Sequence, residues 1–246
     1  MKSLIIFEKT IIMKKGLKKY VLKYTLEFVV IVLGISISFW INEWNSLRNI
    51  KKLERAYLIN INTEFKKNKI QFVKRLRFMN KTYNVGKNFI KQFPITEQNS
   101  DSIFEGIFGK PPYLSLLVSF DPSSSSIKSL ISSPSFSKIS NIKLKKHITE
   151  WSDLVLDYKE EEEASTQVSR EIIQFHKNTK SMNYKFEGRL TKGDKIKLEK
   201  LIYWKTKKLS VIVDSTSIPM KLESSEVMES INAIISLTEP YLLLEN

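Results

Sequence analysis

From Tyr24 to Trp44 the chain reads YTLEFVVIVLGISISFWINEW, and between Phe28 and Ile41 no side chain carries a charge. A helix rising ~1.5 Å per residue needs about 20 residues to cross ~30 Å of hydrocarbon, so this stretch has the length of one membrane crossing. The uncharged run holds ten Ile, Leu, Val or Phe side chains. At roughly −0.3 to −0.6 kcal/mol each they favour insertion by about 3 to 6 kcal/mol, and Ser36 and Ser38 offset only part of that. Shorter apolar runs are often buried core helices instead, and here the flanks decide. Lys14, Lys15, Lys18, Lys19 and Lys23 precede the run, and Trp40 and Trp44 close it. These residue types anchor a helix at the two interfaces. Bulky Phe39, Trp40 and Ile41 follow Ser36-Ile37-Ser38 where a signal peptidase needs small residues, so the predicted element is an uncleaved signal anchor over 24–44. Lys18, Lys19, Lys23, Trp40 and Trp44 are its expected membrane-interface residues, and the lipid bilayer is its first expected partner.

Charge around the span predicts its orientation. Seven lysines precede it, whereas Arg48, Lys51, Lys52 and Arg55 follow, a bias that favours a cytoplasmic N-terminus. The expected organisation is a basic cytoplasmic tail over 1–23, a transmembrane helix over 24–44 in the inner (cytoplasmic) membrane, and a periplasmic extramembrane domain over 45–246. Met13, followed by Lys14-Lys15, reads as an alternative start to Met1. The net charge of +14 is concentrated near the span: residues 45–95 hold thirteen Lys or Arg against Glu54 and Glu64. That basic segment has no groove-reading or base-stacking motif, so nucleic acid is not an expected partner. If its helix leaves the membrane upright, Lys67 stands about 23 residues beyond Trp44, roughly 35 Å out. Screening over ~8 Å removes any attraction to lipid head groups at that distance.

The run LEFVVIVLGISISFWINEWN, followed by Leu58 and Glu64, resembles the opening of an uncharacterised family of single-pass membrane proteins from Bacteroidota, catalogued as a domain of unknown function. The similar features are the acid Glu27, the mid-span Gly34 and the exit pair Trp44-Asn45. A second block, FDPSSSSIKSLISSPSFSKISNIKLKKHITEW, is similar to the family's Ser-rich segment leading into a long helix. Leu26 and Pro134 depart from the pattern, each standing where the family has Gly. The resemblance covers the chain from about Lys18 to the end and implies no known activity.

Only seven glycines and seven prolines occur in 246 residues, too few for a fold that turns every ten residues, so the expected fold class is all-α. Leu58, Ile61, Phe65, Phe72, Leu76, Met79 and Tyr83 recur at helical spacing and predict a helix from the span to about Phe93, stopped by Pro94, with Gly86 as a candidate kink. A second stripe, Leu144, Ile148, Trp151, Val155, Tyr158, Ser165, Val168, Ile172 and Phe175, predicts a helix over about 142–179, with Asn141 as N-cap. The two are expected to form an antiparallel-type pair. Shorter helices are predicted near Ser102 to Phe108 and Ser123 to Ser132, with a break at Pro111-Pro112. Two more are predicted, one capped by Asp194 and running through about Leu209 or a little beyond, the other from about Leu222.

Glu27 is ionisable within the span and either pairs with Lys23 one turn earlier or serves helix association. Gly34 and Ser38 form a small-xxx-small pair that permits close helix approach, so a homo-oligomer is possible. Glu160 to Glu163 point all round a helix axis, which makes a solvated face the expected reading rather than a calcium site. The row Glu150, Asp153, Asp157, Glu160 and Glu161 is expected beside a basic row of Lys67, Lys74, Arg77 and Lys81, with the two helices packed together. His147 and His176 sit about 43 Å apart on one helix and cannot share a metal. There is no cysteine, no HExxH, no G-x-S-x-G, no Walker A run and no dinucleotide fingerprint, so no catalytic residue, metal or cofactor is assigned and the chain is not expected to be an enzyme. The expected function is a membrane-anchored helical interaction or scaffolding module at the cell envelope, contacting a protein partner. The alternatives are an accessory receptor that signals through a partner or, with inverted topology, a cytoplasmic regulator.

Overall fold

In a computed structural model of the chain, backbone is described for residues 2–108, 114–115, 117, 119–179, 190–214 and 223–243, and side chains for those from 20 onward other than Glu223. The fold is all-α: the described residues form helices α1 (Lys2–Ile90), α2 (Ser100–Phe108), α3 (Ser125–Ile131), α4 (Ser135–Lys138), α5 (Ile142–Asn178), α6 (Lys192–Val213), α7 (Glu223–Thr238) and α8 (Pro240–Leu243). The Pro111-Pro112 break lies outside the described residues. The chain divides into two compact units, Met1–Leu53 and Glu54–Asn246, and α1 contributes to both.

In the first unit α1 carries the segment that is long and apolar enough to cross a membrane, and none of that apolar window is buried by protein. Its side chains from Phe28 to Ile41 face outward, with Phe39 and Trp40 each 71% exposed. A helix apolar on all sides and covered by nothing suits a hydrocarbon solvent, in which the backbone's own hydrogen bonds satisfy every polar group.

In the second unit three columns pack together. Phe65 meets Trp151 edge-on at 4.7 Å and Phe72 meets Tyr158 at 5.3 Å, while Arg75 pairs with Glu162. Partner numbers rise together, so α1 and α5 run in the same sense. This corrects the expected antiparallel pair, and the physical reason is the connection. Residues 119–139 return along α1, from Phe120 beside Phe72 to Ser123 hydrogen-bonded to Asn68 and Ser125 to Glu64. The chain therefore starts α5 at the level where α1 entered the unit. The third column is α6 followed by α7, and both descend. Lys205 meets Ser165, Ser224 donates to the Ile212 carbonyl, and Asn62 donates to the Ile235 carbonyl.

Local signals explain the ends. Asn141 caps α5 by accepting the Leu144 N–H at 3.0 Å, as its residue type favours. Helix α6 begins with a capping box in which Thr191, not Asp194, is the N-cap and Asp194 is its reciprocal partner. Gly86 does not break α1; a Cβ there would stand 2.1 Å from the Thr206 Oγ1, so the glycine lets α6 approach.

Two hydrophobic clusters fill the unit. One gathers Leu58, Phe65, Phe72, Trp151 and Tyr158 with Leu209, Val227 and Ile231. The other gathers Phe89, Phe104, Ile107, Ile172, Phe175 and Ile202. Along α5 the boundary between them falls at Glu162 and Ser165, and along α6 at Lys205 and Thr206, all buried.

Candidate functional site

The membrane-length segment has simple local chemistry. Lys23 Nζ lies 3.8 Å from Glu27 Oε1 across one helical turn, so the acid within the apolar segment has its counter-ion on its own helix. The Ser38 hydroxyl donates to the Gly34 carbonyl at 2.8 Å, which satisfies it without a second helix, and nothing stands within 4 Å of a Cβ at Gly34. Trp44 is 58% exposed and Arg48 lies over its ring at 5.8 Å. The side chains of Lys18 and Lys19 lie outside the described residues.

The second unit carries a groove of about 900 Å³ between α1 and residues 119–121. Its floor is apolar, made by Ile70, Val73, Phe78 and Phe120; its rim is cationic, with exposed Lys69, Lys74, Arg77 and Lys81, and Arg75 lies buried in its wall. Against five cations stands one carboxylate in the lining, Asp121. The Lys159 ammonium already holds it at 2.5 Å and, with its charge, lowers the Asp121 pKa. Ile70 is 70% exposed. The α1 residues 70, 73, 74, 77, 78 and 81 recur at steps of three and four, which places them on one face of the helix.

The expected acidic row does not meet this basic row. No ion pair among the described residues joins Lys67, Lys74, Arg77 or Lys81 to Glu150, Asp153, Asp157, Glu160 or Glu161; Glu150 pairs with Lys146 on its own helix. The helices pack through their apolar stripes rather than through the charged rows. The solvated reading of the acidic run also fails at one position. Glu162 is 3% exposed, and its two oxygens take the Arg75 Nε at 3.4 Å and the Phe120 N–H at 2.7 Å.

Arg75 belongs both to the groove wall and to a buried charged layer. It is 9% exposed, and its Nη2 is buried without a hydrogen-bond partner. An unmade buried bond of this kind costs about 1–3 kcal/mol, more when the group is charged. Desolvation lowers the Arg75 pKa, against the raising effect of Glu162. Deeper in, Lys205 Nζ donates to the Ser165 carbonyl at 2.9 Å and to its Oγ at 2.7 Å. Burial, then the Arg75 charge, pushes Lys205 down to about 7.

A hydroxyl beside an amine of that pKa has the composition of a Ser-Lys nucleophile. Access rules against that use: Ser165 and Lys205 are 2% and 3% exposed, and the space beside them is about 10 Å³, room for a single water rather than a substrate.

The histidines stay apart. His147 Nδ1 lies 3.3 Å from the Ser230 Oγ, whereas His176 packs against Phe104 and Phe108 at 5.5 and 4.2 Å and burial lowers its pKa. Arg75, Glu162 and Lys205 were missed by reading charge as surface, yet each sits in an apolar stripe: Arg75 three after Phe72, Glu162 four after Tyr158, Lys205 four before Leu209. Comparison of the chain with family models, curated proteins and solved structures finds no match.

Proposed function

We propose that this protein is a single-pass membrane protein of the cell envelope that works as an interaction module, by binding rather than by catalysis. In this reading the segment from Tyr24 to Trp44 holds the chain in the inner membrane with its N-terminus cytoplasmic, and the helical unit offers its binding face in the periplasm. The observation that supports binding above all is the groove over α1: an apolar floor beside four exposed cations, Lys69, Lys74, Arg77 and Lys81, with Asp121 already paired to Lys159 and Arg75 to Glu162. A cationic rim steers and orients an oppositely charged partner, and the apolar floor supplies the affinity. Self-association through Gly34 and Ser38 remains a secondary part of the proposal, because Ser38 is already satisfied within its own helix.

The test is site-specific photo-crosslinking in intact cells, with a photoreactive amino acid at Ile70 in the groove or at Ile142, which is 81% exposed on α5. The proposal predicts a discrete adduct from position 70 and none from 142. Equal or absent adducts at the two positions would count against the groove as the binding face.

A further inference from the structure

We infer that the groove takes an anionic amphiphile: a single acyl chain laid along the apolar floor, with its carboxylate held by Arg75 and the cations beside it. This rests on the groove being the binding face and names what that face binds. Three observations carry it. First, the floor is apolar where a surface strip of α1 has no reason to be, with Ile70 70% exposed and Val73 and Phe78 beside it. Second, about 900 Å³ of space falls in the range of sites that enclose small ligands. Along α1 the lining extends from Lys69 to Lys81, which at ~1.5 Å per residue is a track about 18 Å long.

Third, Arg75 is more than nine-tenths buried in the wall, and its Nη2 lacks any hydrogen bond. Glu162 takes only the Nε side of the guanidinium. A carboxylate arriving from the groove supplies the missing acceptor, and a guanidinium's forked donors suit a carboxylate. A docked partner helix satisfies the observations less well. It would ride on the exposed side chains of Lys74, Arg77 and Lys81, whereas a nitrogen closed to solvent is reached only by a slender head group for which the wall side chains move aside. Charge selects the head: Asp121 is engaged by Lys159, so the lining presents cations to whatever enters.

The experiment uses the full chain reconstituted in phosphatidylcholine vesicles and a diazirine-bearing palmitate as probe, with adducts mapped by mass spectrometry. The expected result is labelling of the peptides containing Ile70 to Phe78. Excess palmitate should suppress it, hexadecanol should not, and the double substitution Lys74→Glu with Arg77→Glu should reduce it at least tenfold. Both lysine and arginine are exposed, so folding should survive their reversal, and Lys143→Glu with Lys177→Glu on α5 serves as the control that leaves labelling unchanged. Labelling confined to residues 24–44 overturns the inference, since that is partition into the bilayer. So does equal competition by hexadecanol, which removes head-group recognition, or indifference to the charge reversal. A protein adduct at position 70 in cells, with no palmitate labelling there, rejects the amphiphile while leaving the interaction module standing.

Discussion

Replacing Lys205 by methionine changes the charge buried between the two hydrophobic clusters and leaves the volume of the side chain nearly constant. In the folded protein burial, and then the neighbouring Arg75, lowers the Lys205 pKa from 10.5 to about 7; in the unfolded chain the ordinary value returns. Between about pH 7 and pH 10.5 the unfolded chain therefore holds a proton that the folded protein has released, and stability rises with pH through that window. The slope is ~1.4 kcal/mol per pH unit for one proton. Below pH 7 both states are protonated, and the folded state carries the whole cost of a buried ammonium, about 4–5 kcal/mol for a shift of this size.

Methionine carries no such cost at any pH; it deprives the Ser165 carbonyl and Oγ of their donor at 2.9 and 2.7 Å, worth ~1 kcal/mol for each bond and nearly independent of pH. Urea unfolding followed by far-ultraviolet circular dichroism, on a fragment beginning at Arg48, measures both proteins across pH 6.5 to 9.5. Other titrating groups cancel in the difference. Wild type is expected to gain about 3 kcal/mol on the Lys205→Met variant over that range, the variant being relatively most favoured at the acid end. A difference that is flat with pH, or that falls as pH rises, refutes the buried, deprotonating lysine.

Trp151 is 1% exposed and packed on Phe65, so Trp151→Ala should lower the unfolding free energy by ~3–5 kcal/mol in the same assay, whereas exposed Glu160→Ala should change it by less than about 1. Glu162→Gln leaves Arg75 buried without its counter-ion and should cost about 3–5 kcal/mol, visible as a lower urea midpoint with unchanged slope. Gly86→Ala forces a Cβ to within 2.1 Å of the Thr206 Oγ1 and should cost ~1–3 kcal/mol. Thr206→Ala should recover part of that, and a strictly additive double mutant would contradict the close approach.

How far the sequence could be read varied with the range of the interaction. Helix α5 was legible because its cap and its stripe are local: Asn141 and residues at steps of three and four are all it needs, and the helix ends within a residue of the expected limit. The buried members of the α1 stripe, from Leu58 to Tyr83, were legible for the same reason. The direction in which α5 runs against α1 was not, since it depends on residues 119–139 returning along α1 through hydrogen bonds such as Asn68 with Ser123, 55 positions apart.

Charged residues were the weakest point. Glu162 looked like part of a solvated run because its neighbours Glu160 and Glu163 are exposed; its register, four after Tyr158, was the signal that it faces inward, and Arg75 had the same signature. The groove needed tertiary structure, because its floor joins α1 to Phe120 from a segment without regular structure.

Membrane retention of the full chain is the most direct test of a helical unit held by one apolar helix. Membranes from cells producing the protein are washed with alkaline carbonate, and the full chain is compared with a version lacking residues 24–44. The full chain should stay entirely in the pellet, and the shortened one should be released to the supernatant. Release of the full chain by the wash would contradict a membrane-spanning Tyr24 to Trp44 helix, and with it the anchored interaction module.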